Sequence, residues 1–202
     1  MRVGELLGIL LDGSHFAPIP KFPLIVSSYD RPPTGGSQEM WDFDRVLGEY
    51  QRPSKILVHE QAVSECSTAL GIPRRELRAI VVLHECAHYF VDQLPSAGAS
   101  VGDWGTPGCV HRLRWVDSGY QNTPAEVHET IAQLLTYWTC QDSWLRDDFE
   151  KLNVRQSSEY RRFRELIDAG ITYPSVVAAI AKARRTRDGG TDFVTWMADL
   201  SV

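Results

Sequence analysis

The sequence predicts an α+β fold: a small N-terminal sheet, one long central helix and an α-rich C-terminal half. Three observations carry this. Short runs rich in Ile, Val and aromatic residues, bounded by Pro and Gly, fall before residue 60. An apolar stretch free of Gly and Pro fills 73–93. After residue 123, apolar residues recur at helical spacing almost to the end. With 202 residues and 43% apolar content the chain can bury one core. A single domain over 1–202 is therefore expected, with strands and the central helix over about 20–93, a long loop over 94–123 and a helical part over 124–202.

Taken in order, 22–29 reads as a strand and 30–37 as a Pro- and Gly-rich loop. Residues 40–44 alternate apolar with acidic side chains and are a second candidate strand. The run 55–59, Lys-Ile-Leu-Val-His, is the best strand of the chain and is entered from Arg52-Pro53. A short helix over 61–70 should stop at Gly71, because glycine adopts the left-handed conformation that ends helices, and Pro73 suits the opening of the next. That next helix, over 73–93, presents Leu77, Ile80, Val81, Val82, Leu83, Ala87, Phe90 and Val91 and should be largely buried.

The stretch 94–123 is too long for an idle connection inside a compact domain. Its Trp104, Cys109, Val110, Leu113, Trp115 and Val116 argue that it packs, with a short strand over 109–116. Helical patterns follow over 125–140, 143–152, 157–169 and 173–187, and weakly over 192–200.

A net charge of −5 gives no general attraction to nucleic acid or anionic lipid. Basic runs at 155–164 and 182–187 read as solvated helix ends. The apolar run at 5–12 is too short to span a bilayer and lacks the flanks of a secretion signal, so a cytoplasmic protein with no membrane partner is expected. Four cysteines, Cys66, Cys86, Cys109 and Cys140, show no C-x-x-C pairing, and reduced thiols are the default. The sequence does not disclose the oligomeric state.

The chemistry concentrates in His84-Glu85-Cys86-Ala87-His88. Helical residues four apart stack on one face, so His84 and His88 can reach one zinc ion (Zn2+). Glu85 then stands beside the metal, where a carboxylate can take a proton from water that the ion acidifies. This is the H-E-x-x-H arrangement of zinc peptidases. A buried helix should not carry these three groups unpartnered; the plainer alternative is a pair of hydrogen-bonded core histidines.

Two histidines need a third protein ligand, and the helix after the long loop offers Glu126 and Glu129. Thr123 at the N-cap, Pro124 at the first helical position and Glu126 at the third would form a capping box, which occupies Glu126 structurally. Glu129, one turn further in with Ala132 and Gln133 on its side, is left for the metal, with Glu126 the alternative and a solvent-facing Glu129 the plain reading.

With these residues in place the chain resembles the gluzincin branch of the zincin metallopeptidases, in which H-E-x-x-H on one helix is completed by a Glu on a later one. The match of Glu129, Ala132 and Gln133 to the later motif departs from it at Gln133, where Asp or Asn is usual. The resemblance covers about 55–140 and implies a zincin-like fold, zinc ligands His84, His88 and Glu129, Glu85 as general base, and a residue at 133 orienting a ligand histidine. It also implies that a strand such as 56–59 offers a sheet edge to an extended peptide or protein substrate.

The expected activity is peptide hydrolysis, with His111, Tyr120 or His128 as donor to the oxyanion. Trp104, Trp115, Tyr137 and Trp138 are candidates for an apolar pocket, although core packing suits Tyr137 and Trp138 better. Two other readings stand beside this one: a zinc hydrolase of a non-peptide substrate, and a zinc-stabilised binding or regulatory protein with little or no proteolysis.

Overall fold

The computed structural model describes residues 23–30, 46–93, 124–156, 158–172 and 175–176. Three strands, β1 (Leu24–Ser28), β2 (Gly48–Gln51) and β3 (Lys55–His59), form one sheet in the order β1-β3-β2. β1 runs parallel to β3, Leu24 opposite Lys55 and Ser28 opposite His59. β2 runs antiparallel to it, Gly48 opposite Val58 and Gln51 opposite Lys55. Strand β3 matches the sequence expectation, and its alternation is physical: Ile56 and Val58 are fully buried while Lys55 and Leu57 are half-buried.

The same strand corrects one expectation. β3 is paired on both sides, so it offers no edge; among the described residues β2 is the edge strand beside the central helix. β2 escaped the sequence reading because Gly-Glu-Tyr-Gln lacks apolar alternation, and the strand exists through its pairing with β3. The candidate strands at 40–44 and 109–116 lie outside the described residues.

Helix α1 (Glu60–Leu70) ends as expected at Gly71, which has φ 63° and donates its N–H to the Ser67 carbonyl. Helix α2 (Arg74–Gln93) follows, its first turn accepted by the Pro73 carbonyl through Leu77 at 3.0 Å. Glu60, at the start of α1, is buried and ties three elements together. It accepts hydrogen bonds from Ser27 of β1 at 2.7 Å, Arg74 at 2.9 Å and Arg78 at 2.8 Å. Burial pushes its carboxyl up, but these donors more than compensate and hold it below its ordinary value.

The second half is helical: α3 (Ala125–Gln141), α4 (Arg146–Arg155), α5 (Ser158–Arg161) and α6 (Phe163–Asp168). α3 packs along α2, burying Val127, Ile131, Leu134 and Leu135. One hydrophobic cluster runs from Leu47 of the sheet region through both helices to Leu166 and Val176. Tyr137, Phe149 and Phe163 stack within it, with ring centres 5.4 to 6.1 Å apart. Tyr137 and Trp138 are thus core-packing residues, as their spacing favoured. The helix expected over 157–169 is broken at Arg162, and the one expected from 143 starts at Arg146, where the Ser143 hydroxyl accepts the Leu145 N–H. The patterns at 177–187 and 192–200 lie outside the described residues. None of the described helices is long and apolar enough to cross a membrane.

Candidate metal centre

The 3.6-residue period of α2 places His84 and His88 one above the other on the face turned to α3. Their rings meet edge to face, centroids 4.8 Å apart, and their Nε2 atoms are separated by 3.2 Å. α3 brings Glu129 to the same point: its Oε2 lies 3.0 Å from His84 Nε2 and its Oε1 lies 3.4 Å from His88 Nε2. Among the described residues these three are the His, Cys, Asp or Glu group whose ligand atoms converge, all within 4.8 Å of one another.

The donor set suits a zinc ion. Two ligand atoms each about 2.05 Å from a tetrahedral centre stand about 3.3 Å apart. The closest separations here are 3.0, 3.2 and 3.4 Å. Two imidazoles and a carboxylate are also the ligand types zinc takes when a fourth position stays open. The three side chains keep 14, 18 and 29% of their surface exposed, so the group opens on solvent.

The protons follow the geometry. Burial alone would lower the His84 pKa, but the bond to Glu129, that carboxylate's charge, the charge of Glu85 and a hydrogen bond to Gln133 raise it above its ordinary value. Burial likewise pushes the Glu129 carboxyl up, yet the bonds to His84 and His88 pull it far below the usual carboxylate range.

Glu85 is buried and stands outside the ligand group, on the wall of the same cleft. Its side chain runs against the backbone of Gly48 in β2. Gln133 is also buried, and its Nε2 donates to Gln156 Oε1 at 2.8 Å.

Glu126 calls for a correction. Among the described residues no side chain caps α3; Pro124 occupies the N-cap, and the Glu126 carboxylate instead pairs with Arg162. Glu126 is therefore engaged away from the histidines, for a different reason than a capping box. Thr123 lies outside the described residues. Arg164 is also ion-paired, with Glu150, so two cations of the 155–164 run are balanced within the fold.

The histidines and both carboxylates, Glu85 and Glu129, face a cleft of about 550 Å³ between β2, α2, α3 and the α4–α5 junction. His128 lines it, whereas His111, Tyr120, Trp104 and Trp115 lie outside the described residues. The cleft adds a residue the sequence reading passed over. Tyr160 of α5 lies on its wall, ring centre 6.4 Å from that of His84. Its place in an Arg-rich stretch gave only the signal of a solvated helix.

Cys66, Cys86 and Cys140 are buried, and burial pushes the thiols of Cys86 and Cys140 up to about 12.

No known family model matches the chain, and comparison with curated proteins and with solved structures likewise gives no match. The functional reading therefore stands on the geometry of this site.

Proposed function

We propose that the protein is a zinc-dependent metallopeptidase of the gluzincin type. The observation that carries the proposal is the convergence of His84, His88 and Glu129 at separations suited to tetrahedral zinc, with Glu85 beside them in an open cleft. The H-E-x-x-H helix packed against a small sheet, with the third ligand on a later helix, supports the zincin resemblance.

A zinc ion in this position would supply Lewis acidity toward a peptide carbonyl and toward water. Glu85 takes the proton from the attacking water and passes it to the leaving amine. Its burial against Gly48 fixes the carboxylate for that exchange. Oxyanion stabilisation needs a donor from the protein, and the cleft offers Tyr160 and His128. Tyr160 is the better assignment, because a phenol of ordinary pKa about 10 keeps its proton throughout the neutral range. The edge of β2, unpaired by any strand among the described residues and with Glu49 and Tyr50 on the cleft, supports binding of an extended peptide by strand addition.

The test is cleavage of an unstructured protein, with and without chelator, by protein whose zinc content is measured by elemental analysis. One zinc per chain, lost in Glu129→Ala, is expected together with cleavage abolished by chelator and by Glu85→Gln. A chain that holds zinc and cuts no peptide would overturn the peptidase assignment and favour a zinc-stabilised binding role.

A further inference from the structure

We infer that Arg52 is a specificity-determining residue: it takes a carboxylate of the substrate about three or four residues from the bond that is cut. The inference rests on the peptidase reading above and adds to it a chemical class of substrate.

Strand β2 and helix α2 lie side by side and run the same way, as three contacts along them show. Gly48 meets Glu85, the ring of Tyr50 meets that of Tyr89 with centres 5.9 Å apart, and Arg52, just past the end of β2, brings its Nε to 3.1 Å from Asp92 Oδ1. The proposed base stands at the first of these contacts and Arg52 at the last. Gly48 and Arg52 are four residues apart, and Glu85 and Asp92 seven. At about 3.3 Å per strand residue and about 1.5 Å per helix residue, both measures put Arg52 about 10 to 13 Å along the cleft from the base. An extended peptide covers that distance in about three or four residues.

Arg52 is anchored by one nitrogen and offers the others. Asp92, which keeps 10% of its side-chain surface exposed, spends Oδ1 on Arg52 Nε and accepts the Tyr50 hydroxyl on Oδ2 at 2.8 Å. The Arg52 side chain keeps 47% of its surface exposed and lies on the cleft wall. Its two terminal nitrogens have no other ion pair or hydrogen bond among the described residues. They form a planar fork of donors that matches the two oxygens of a carboxylate. Arg52 is also the one Lys or Arg among the described residues that line the cleft, which carry three carboxylates, Glu49, Glu85 and Glu129. Asp92 balances its charge, so Arg52 selects through directed hydrogen bonds at short range rather than through a field over the whole cleft.

The carboxylate can belong to an Asp or Glu side chain or to the end of the peptide, and the experiment separates the two. The zinc-loaded protein is given a mixture of synthetic peptides of randomised sequence, and the cuts are mapped by mass spectrometry. The best-cleaved sequence is then remade with Glu, Gln or Lys at about three or four residues from the cut, on either side, and with the chain ended there as free acid or as amide. On one side of the cut, kcat/KM for Glu should exceed that for Gln by about tenfold, the size expected of a charge-assisted hydrogen bond in a half-exposed setting, and Lys should be poorer still. A preference for free acid over amide in place of the side-chain preference assigns the carboxylate to the chain end.

Arg52→Ala and Arg52→Gln, each checked for one zinc per chain, should bring the ratio between acid and neutral peptide to about one, and Arg52→Glu should turn the preference to Lys. A wild-type ratio of about one at all of these positions, or a tenfold ratio that survives in both Arg52→Ala and Arg52→Gln, would overturn the inference while leaving the peptidase reading standing. Wild-type protein that holds zinc and cuts nothing in the mixture would instead remove that reading, and the inference with it.

Discussion

Gly48 and Glu85 are in such close contact that a Cβ on Gly48 would stand 2.9 Å from Glu85 Cγ and 3.1 Å from its Oε1. The same Cβ would meet Val81 Cγ1 at 2.7 Å, so two side chains of α2 would have to give way at once. An edge-strand glycine therefore sets where the proposed base sits. Gly48→Ala should push the Glu85 carboxylate out of line while leaving the metal ligands in place. A misplacement of about 1 Å costs about 10²-fold in rate. The expected result is kcat/KM down by about that factor with one zinc per chain retained; unchanged turnover would show that Glu85 adapts or is not the base.

Glu60 makes a second prediction, about stability. Its carboxylate is buried at the meeting of β1, α1 and α2 and takes three donors. Arg74 and Arg78 keep 52 and 37% of their side-chain surface exposed, so water screens part of each ion pair. Glu60→Ala should cost about 2 kcal/mol, from lost hydrogen bonds and a small cavity, and Glu60→Gln about 1 kcal/mol. Chemical denaturation at pH 7 checks both. The Glu60 carboxyl lies below its unfolded value, so its contribution is present above about pH 4.5 and is lost as pH falls through the folded value. The wild-type advantage over Glu60→Gln should shrink in acid.

What the sequence made legible was local. The alternation of β3, the stop at Gly71 and the stacking of His84 on His88 each follow from a few adjacent residues and one period, and each is found. The sequence singles out Glu129 because a capping box is expected to occupy Glu126; Glu129 does meet the histidines, but Glu126 is taken by Arg162 instead. What stayed hidden depends on pairings distant in sequence. β2 exists because Gly48–Gln51 lines up on β3, Glu126 is taken by Arg162, and Gln156 and Tyr160 reach the cleft only once α4 has folded back over α3. No window of adjacent residues contains that information.

The buried thiols make a third prediction. Cys86 lies one residue from Glu85, and Cys140 lies near the end of α3; burial raises both to about 12. At pH 8 the thiolate fraction of each is about one in 10⁴, and access is closed as well. Alkylation of native protein followed by peptide mapping should leave both unmodified for hours, with full labelling on denaturation. Rapid native labelling of Cys86 would show that the helix carrying the histidines opens readily.

The metal site predicts opposite pH trends for the empty and the zinc-loaded protein. His84 is raised from 6.5, so in the empty protein its stabilising share is fully present below about pH 6.5 and is lost as pH rises through the folded value. Glu129 is depressed from 4.5, so its share is present above about pH 4.5 and is lost as pH falls through the folded value. The interaction therefore stabilises the empty chain most between about pH 4.5 and 6.5, and removing it with Glu129→Gln should cost more at pH 6 than at pH 9. Zinc runs the other way, because it binds only the deprotonated rings and must displace the proton that His84 holds. Its affinity should climb with pH until His84 is neutral and fall by at least tenfold per unit well below that point. Thermal unfolding of both forms from pH 5 to 9 tests this: the zinc-dependent rise in Tm should be near zero at pH 5 and largest above pH 8. A zinc-dependent rise that was constant across the range would mean that the ion is bound by groups other than these two histidines.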